Sequence, residues 1–217
     1  GHQKVIATCM EYAKKKGVDF IICDHHLPSG TLPDAWAVLD PKRLDSHYPY
    51  KELSGCGIGF KLIQAIQKEK HRSFDEILNF LDLVAISIAA DVVPLTGENR
   101  VLAFYGLKVI NRCPRVGIEA ILSYSKIKPE PNAKLYFNRE LTISDLVFLV
   151  GPRINAAGRM ESGGKAVELL KSNSREEVEK IAAEINQNNE ARKDLDKKAT
   201  EEAKKMLTSC ADLTSKK

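Results

Sequence analysis

The fold of this chain is indicated by residues 18–28, which read VDFIICDHHLP. The first six form a short apolar run, typical of a strand buried in a parallel sheet. The segment before it repeats apolar residues at helical spacing and ends in lysines and Gly17, which suit a helix C-terminus. A helix that leads into a parallel strand is typical of α/β proteins. Because no strand precedes that helix, we expect a fragment of a larger α/β protein.

Further along the chain, the sequence predicts one more strand and then a succession of helices. Residues 36–39 (WAVL) read as the second strand. Helical periodicity is present over 57–69, 73–88, 99–111, 117–123, 144–150, 164–171 and 174–207. The predicted fold class is α/β: a parallel-sheet domain without its N-terminal strands, then a mostly helical part and a long C-terminal connector helix. We place the domain at residues 3–172 and the linker helix at residues 173–209.

Composition excludes several classes of protein. The chain has 217 residues, of which 43% are hydrophobic and 29% charged, as in soluble globular proteins. No apolar run approaches the roughly 18 residues of a membrane span. The formal net charge of +4 permits nucleic-acid binding without requiring it. The five cysteines are scattered and form no C-x-x-C pair, which argues against a disulfide framework or structural zinc site and for reduced thiols in the cytoplasm.

Candidate metal ligands occur at two places. Asp24, His25 and His26 follow the first strand directly, and ligands bind beyond the carboxyl ends of parallel strands. A carboxylate and two imidazoles suit manganese or zinc, although a hydrophilic loop would also explain them. Asp91 ends a strongly apolar segment, where a charge is costly unless it is paired or bound to a cation. It could instead cap a turn before Pro94, but a metal shared with the first motif accounts for both groups.

Two further segments are candidates for phosphate binding. Residues 151–159 read GPRINAAGR, in which the arginines can grip phosphate and the small residues permit close approach. The alternative is a loop with solvated arginines. Residues 54–59 read SGCGIG before a predicted helix, and this pattern suits either phosphate binding at a helix N-terminus or tight helix packing.

Asp24-His25-His26 together with Asp91 resembles the DHH phosphoesterase superfamily. Within that superfamily, the chain looks like the RecJ family over about residues 3–207, and residues 152–159 are the most discriminating segment. The other segments that carry this resemblance are DPKR (40–43), ELSGCG (52–57) and ADVVPL (90–95).

The resemblance implies a metal-dependent exonuclease that degrades single-stranded DNA 5′→3′ to 5′-mononucleotides in DNA repair and recombination. It implies two Mn²⁺ or Mg²⁺ ions, roughly 3.5–4 Å apart, that activate water and stabilise the leaving oxygen. Implied partners are single-stranded DNA, a single-strand-binding protein and a helicase, in the cytoplasm and without a membrane.

The resemblance also implies roles for individual residues. His25 resembles a metal-ligating histidine, and His26 resembles the histidine at the scissile phosphate. Asp24 looks like the supporting carboxylate of the motif, and Asp91 resembles a later metal-binding aspartate. Residues that resemble the phosphate- and DNA-contacting motif are Arg153, Asn155 and Arg159.

The sequence departs from the family in one important respect. The family has two aspartate motifs upstream of its DHH motif, but only 23 residues precede Asp24. We expect that the family's downstream substrate-binding domain and oligonucleotide-binding fold are also missing, and that the chain alone is inactive or nearly so. Two alternatives stay open: a DHH-type phosphodiesterase acting on short RNA or cyclic dinucleotides, and a non-catalytic scaffold of a replication complex.

Overall fold

The computed structural model describes residues 2–28, 32–132, 134–160 and 163–209; the side chains of 2–8, 158–160 and 209 lie outside this description. Two short strands and a series of helices make up these residues. The elements are α1 (His2–Lys15), β1 (Ile21–Cys23), β2 (Ala37–Leu39), α2 (Gly55–Glu69), a 3₁₀ segment (Phe74–Phe80), α3 (Leu81–Ala90), α4 (Gly97–Arg112), α5 (Val116–Leu122), α6 (Ile143–Asp145), a π segment (Leu146–Val150), α7 (Gly151–Met160), α8 (Gly163–Lys171) and α9 (Arg175–Ser209).

The two strands form a parallel sheet, as predicted. Ile22 is in register with Val38, and the N–H of Asp24 extends the pairing by donating to Leu39 O at 3.0 Å. The expectation of a buried strand is wrong for the described residues, because the Ile21 side chain is 52% exposed. Strand β1 pairs only with β2 within this part of the chain, and one strand neighbour covers little of its surface.

Helix α3 occupies the centre of the helical part. Nearly all of its side chains are apolar and most are buried, as the sequence predicts for a helix enclosed on several sides. Helix α4 packs directly on it at Gly106, where an added Cβ would lie 2.2 Å from Leu81 O. The glycine is needed there because any side chain would collide with the backbone of α3. This contact lies in the N-terminal half of α3, and Asp91 follows the C-terminal end of the same helix.

Residues 143–160 form one helical run interrupted by a π segment. A capping box begins it, with Thr142 at the N-cap and Asp145 as the acidic partner, and the first helical residue is Ile143, one residue before the predicted start at 144. The loop interpretation of residues 151–159 is also wrong, because these residues belong to α7. Gly151 opens α7 against α3, and a Cβ there would lie 3.2 Å from Ala90 Cα.

Helix α9 has two dissimilar halves. Its first half buries Val178, Ala182 and Ile185 in the main core. Further along, Leu195 and Met206 are more than half exposed. The long helix is therefore confirmed, and its first half closes the core of the preceding helices. The domain boundary between residues 172 and 173 stays a prediction.

Two other expectations concern membrane-spanning segments and the state of the cysteines. Within the described ranges, no helix has the length and apolarity that a membrane crossing requires. The cysteines that the structure describes, Cys9, Cys23, Cys56 and Cys113, are all free thiols. Cys210 lies outside the described residues.

Candidate metal centre

Asp24 organises the motif that follows β1. Its Oδ1 accepts hydrogen bonds from the backbone N–H groups of His25 at 2.8 Å and His26 at 3.2 Å. The same oxygen lies 2.7 Å from His26 Nδ1. Because an ionised carboxylate only accepts, Nδ1 carries the proton in this contact. Asp24 thereby folds the turn and fixes the orientation of the His26 ring.

The electrostatics of Asp24 favour its charged form. Partial burial alone would raise the pKa of Asp24. Hydrogen bonds from the His26 side chain and from the backbone of His26 and His25 lower it by more than burial raises it, so the net pKa is below its ordinary value. Asp24 is therefore a carboxylate near neutral pH, with one oxygen already engaged by the motif.

Asp91 is presented by the C-terminal end of α3. It is the C-cap residue, and its N–H donates to Ser87 O at 3.0 Å. The Ser87 hydroxyl lies 3.4 Å from Asp91 Oδ2. The interpretation as a cap and the interpretation as a ligand are thus compatible, because the backbone of Asp91 ends the helix while its carboxylate is free to face a partner.

The structure brings His25 and Asp91 together. His25 Nε2 lies 3.8 Å from Asp91 Oδ2, and the two side chains are 18% and 39% exposed. This separation is too long for a hydrogen bond. Neighbouring ligands of an octahedral ion with bonds of about 2.1 Å lie roughly 3 Å apart, and opposed ligands lie roughly 4 Å apart. The pair therefore fits the ligand spacing of one divalent ion.

The N-terminus of α2 lies beside this pair. Ser54 caps the helix by accepting from Gly57 N at 3.2 Å, and an added Cβ on Gly55 would lie 3.5 Å from His25 Cδ2. Burial first, and then the charges of Asp82 and Asp91, raise the pKa of the Cys56 thiol to about 11. In the absence of a metal ion, Cys56 is therefore a neutral thiol near neutral pH.

The described residues contribute only part of a metal site. Within the described ranges, no group of three or more His, Cys, Asp and Glu side chains is arranged to hold an ion. His25 and Asp91 are thus two ligands of a centre that needs further oxygen or nitrogen donors, from water or from other protein groups.

The turn after Asp91 is strained. Val92 has a φ of 52°, and a β-branched residue in the left-handed region is a genuine outlier. Such a conformation costs roughly 1–3 kcal/mol and persists only where its surroundings hold it. Pro94 O accepts hydrogen bonds from Asn99 Nδ2 at 3.0 Å and from Tyr50 Oη at 3.2 Å. These bonds fix the far end of the turn.

The predicted phosphate-contacting residues make contacts within the protein. Arg153 is 6% exposed, and its guanidinium donates to Leu149 O at 2.7 Å and to Asn186 Oδ1 at 3.0 Å. Asn155 Nδ2 donates to Ala90 O at 3.0 Å. Arg159 belongs to α7, but its side chain lies outside the described residues. The substrate contacts of all three stay predictions, while Arg153 and Asn155 have structural contacts that the sequence did not predict.

Comparison with known proteins shows which proteins this chain is similar to. Residues 2–88 match the family model described as the DHH family, N-terminal domain. The single-stranded-DNA-specific exonuclease RecJ of Bacillus subtilis is 40% identical over 195 residues, which are 90% of this chain and 23% of that protein. The Salmonella typhimurium protein of the same name is 37% identical over 203 residues, or 88% of this chain and 33% of that protein. The chain thus spans a quarter to a third of these relatives.

Solved structures show the same similarity in three dimensions. A crystal structure of exonuclease RecJ bound to manganese has a TM-score of 0.70 and 27% identity, covering 90% of this chain and 46% of that one. RecJ from Thermus thermophilus in complex with Mn²⁺ has a TM-score of 0.68 and 27% identity, covering 87% of this chain and 26% of that one. Residues 2–88 are therefore similar to the N-terminal domain of the DHH family, and about nine tenths of the chain is similar in sequence and fold to the RecJ exonucleases.

Proposed function

We propose that this chain is part of a divalent-metal-dependent exonuclease that hydrolyses single-stranded DNA. The observation that carries the proposal is the 3.8 Å separation of His25 Nε2 and Asp91 Oδ2. It joins the strand-end motif to the distant end of α3 in one centre with the spacing of metal ligands. Relatives named single-stranded-DNA-specific exonucleases, some with solved manganese complexes, support the substrate and the metal.

Each side chain of the centre has a distinct part in this proposal. His25 and Asp91 hold Mn²⁺ or Mg²⁺, which when bound supplies an activated water and neutralises charge on the phosphate. Asp24 accepts a hydrogen bond from His26 Nδ1 and so orients the ring. Nε2, when it also carries a proton, donates to a phosphate oxygen at the scissile bond. Because the His26 side chain is 68% exposed, it can reach a substrate without rearrangement of the core.

The substrate side of the centre is formed by α7 in this proposal. Arg159 contacts phosphate, whereas Arg153 and Asn155 anchor the helix through their bonds to Asn186 and Ala90. A direct contact of Arg153 or Asn155 with DNA, in addition to this anchoring, stays a prediction.

The remaining details of the proposed activity rest on the family resemblance. It comprises 5′→3′ polarity, release of 5′-mononucleotides, a role in DNA repair and recombination, and a cytoplasmic location. A single-strand-binding protein and a helicase are proposed as partners of the parent enzyme.

The chain alone is proposed to bind Mn²⁺ weakly and to hydrolyse DNA slowly or not at all. The described residues supply two ligands to the centre and no cluster of three. Hydrolysis at the rate of a full-length homologue would overturn this part of the proposal.

The experiment compares long single-stranded DNA with dinucleotides as substrates, at excess protein and millimolar Mn²⁺. We expect slow release of mononucleotides from the 5′ end of the long strand, and its loss in His25→Ala. Faster cleavage of dinucleotides would favour the alternative DHH-type phosphodiesterase. Hydrolysis that is unchanged in His25→Ala would contradict the metal assignment.

A further inference from the structure

The turn that follows Asp91 is tethered by Asn99, which lies outside the segments quoted above for the family resemblance. Asn99 lies in the first turns of α4 and is completely buried. Its Nδ2 donates to Pro94 O at 3.0 Å and also to Glu52 O at 2.5 Å. One amide group therefore joins two loops that are distant in sequence.

These two loops lead to the two ligands of the candidate centre. Pro94 lies three residues after Asp91, across the strained Val92. Glu52 lies two residues before Ser54, which caps the helix whose first residue faces the His25 ring. Asn99 thus connects the segment that supports His25 with the segment that carries Asp91.

The environment of Asn99 is costly for a polar side chain. Its Oδ1 is buried and has no hydrogen-bond partner among the described residues. An unsatisfied buried acceptor destabilises a fold, so packing alone does not account for an asparagine at this position. The two donated bonds do account for it, because they need an amide N–H₂ with both protons directed at carbonyl groups.

Two other contacts restrain the same turn. Tyr50 Oη lies 3.2 Å from Pro94 O, and its ring covers Gly97, where an added Cβ would lie 2.6 Å from Tyr50 Cε2. On the other side, Asn155 Nδ2 donates to Ala90 O at 3.0 Å. The turn is therefore held at both ends while Val92, at its centre, remains in the left-handed region.

We propose that Asn99 is a positioning residue that holds the Asp91 turn in register with His25. Tyr50 and Asn155 assist by restraining the two ends of the turn. The inference rests on the proposed metal centre for its functional meaning, but the restraint of the turn is testable without any metal.

Asn99→Ala is the test variant, and Asn111→Ala is its matched control. Asn111 lies on the same helix, is 4% exposed, and likewise bridges backbone groups, donating to Leu141 O at 3.0 Å and accepting from Leu141 N at 2.7 Å. Both variants lose a buried asparagine of α4, but only Asn99 reaches the Asp91 turn.

The first measurement is the ¹⁵N-relaxation order parameter of Asp91, Val92, Val93 and Leu95 in the metal-free chain. We expect values near about 0.85 in the wild type and in Asn111→Ala, and below about 0.6 in Asn99→Ala. Unchanged order in Asn99→Ala, or an equal loss in Asn111→Ala, would overturn the inference. If Asn99→Ala does not fold, Tyr50→Phe takes its place, with a smaller loss of order expected and no loss contradicting the inference.

The second measurement is the Mn²⁺ affinity of the same variants. A residue that orients a metal ligand typically contributes about tenfold or more to affinity, so we expect about a tenfold loss in Asn99→Ala and none in Asn111→Ala. Equal affinity losses in both variants would show a merely structural role and overturn the inference. Loss of order in Asn99→Ala without any Mn²⁺ binding by the wild type would support the restraint and refute the proposed metal centre.

Discussion

His25 and Asp91 face each other across 3.8 Å, but the regions that carry them are packed very differently. His25 follows a two-stranded sheet in which Ile21 is 52% exposed, and Trp36, directly before β2, is 77% exposed. Asp91 follows α3, whose residue Ile88 is 2% exposed and which is enclosed by other helices. The position of Asp91 is thus determined by a large helical core, whereas the position of His25 depends on few contacts within the described residues.

The largest effect should come from a buried ion pair in the helical region. Arg115 Nε lies 2.6 Å from Asp82 Oδ2, and Asp82 is 1% exposed. Arg115→Met would leave this carboxylate unpaired, at a cost of about 3–5 kcal/mol in the free energy of unfolding. Urea unfolding at pH 7 measures it, with the exposed Arg112→Met as the control. A cost below about 1 kcal/mol, the range of exposed ion pairs, would contradict the importance of this pair.

The same pair predicts a pH dependence. Burial raises the pKa of Asp82 above its ordinary value, although Arg115 opposes the shift. The folded state therefore binds the proton more tightly than the unfolded state, and stability falls as pH rises from about 4 through the folded pKa. Arg115→Met should enlarge this fall, so its cost should be greater at pH 7 than at pH 4. Equal costs at the two pH values would show that Asp82 does not titrate in this way.

The next effect compares matched isoleucines of the two regions. Ile118 is 0% exposed in the helical core, and Ile118→Ala should cost about 3–4 kcal/mol. Ile22 is only half-buried in β1, and Ile22→Ala should cost about 1 kcal/mol. Thermal unfolding of both variants measures the difference. Similar costs at the two positions would remove the contrast between the regions.

Smaller changes in stability, of opposite sign to each other, are expected when two helical glycines are replaced by alanine. Gly106→Ala would place Cβ 2.2 Å from Leu81 O and should destabilise the contact of α3 with α4 by about 1–3 kcal/mol. Gly59→Ala meets nothing within 4 Å and should stabilise α2 by about 0.5–1 kcal/mol. Denaturant unfolding of the two variants tests both signs. Stabilisation by Gly106→Ala would contradict the close packing of α4 on α3.

The smallest effect is expected at low pH. Side-chain hydrogen bonds from Arg139 lower the pKa of Asp145 to about 2. The stabilisation of the fold by ionised Asp145 is present above about pH 4 and is lost as pH falls toward 2. Because Arg139 is exposed and its charge is screened by solvent, this stabilisation is limited to about 1 kcal/mol. Arg139→Ala should reduce this pH dependence to the part that the hydrogen bonds from Thr142 supply, while the exposed Arg72→Ala should retain all of it. An unchanged acid transition in Arg139→Ala would refute the assignment.

The sequence predicted features that depend on local pattern. The apolar run before Asp24 predicted β1 and its parallel partner, and the adjacent polar residues predicted a site at the strand end. The apolar segment before Asp91 predicted that its carboxylate needs a partner. Helical periodicity likewise predicted the other helices as far as α9, but not α7 and not the 3₁₀ form of residues 74–80.

Other features depend on tertiary contacts and could not be predicted. A buried Asn99 reads like any polar residue of an amphipathic helix, because its two carbonyl partners are distant or irregular in sequence. The left-handed conformation of Val92 contradicts its residue type, and only the surrounding restraints explain it. Arg153 suggested phosphate binding by its residue type, whereas its burial against Asn186 of α9 required the packed structure.

The central claim is that His25 and Asp91 are ligands of one divalent ion. Its most direct test is paramagnetic broadening of backbone NMR signals as Mn²⁺ is titrated into the wild-type chain, His25→Ala and Asp91→Asn. We expect broadening centred on residues 24–26, 54–56 and 90–92, which is lost when either ligand is replaced. Broadening elsewhere, broadening that persists in both variants, or no broadening at millimolar Mn²⁺ would contradict the claim.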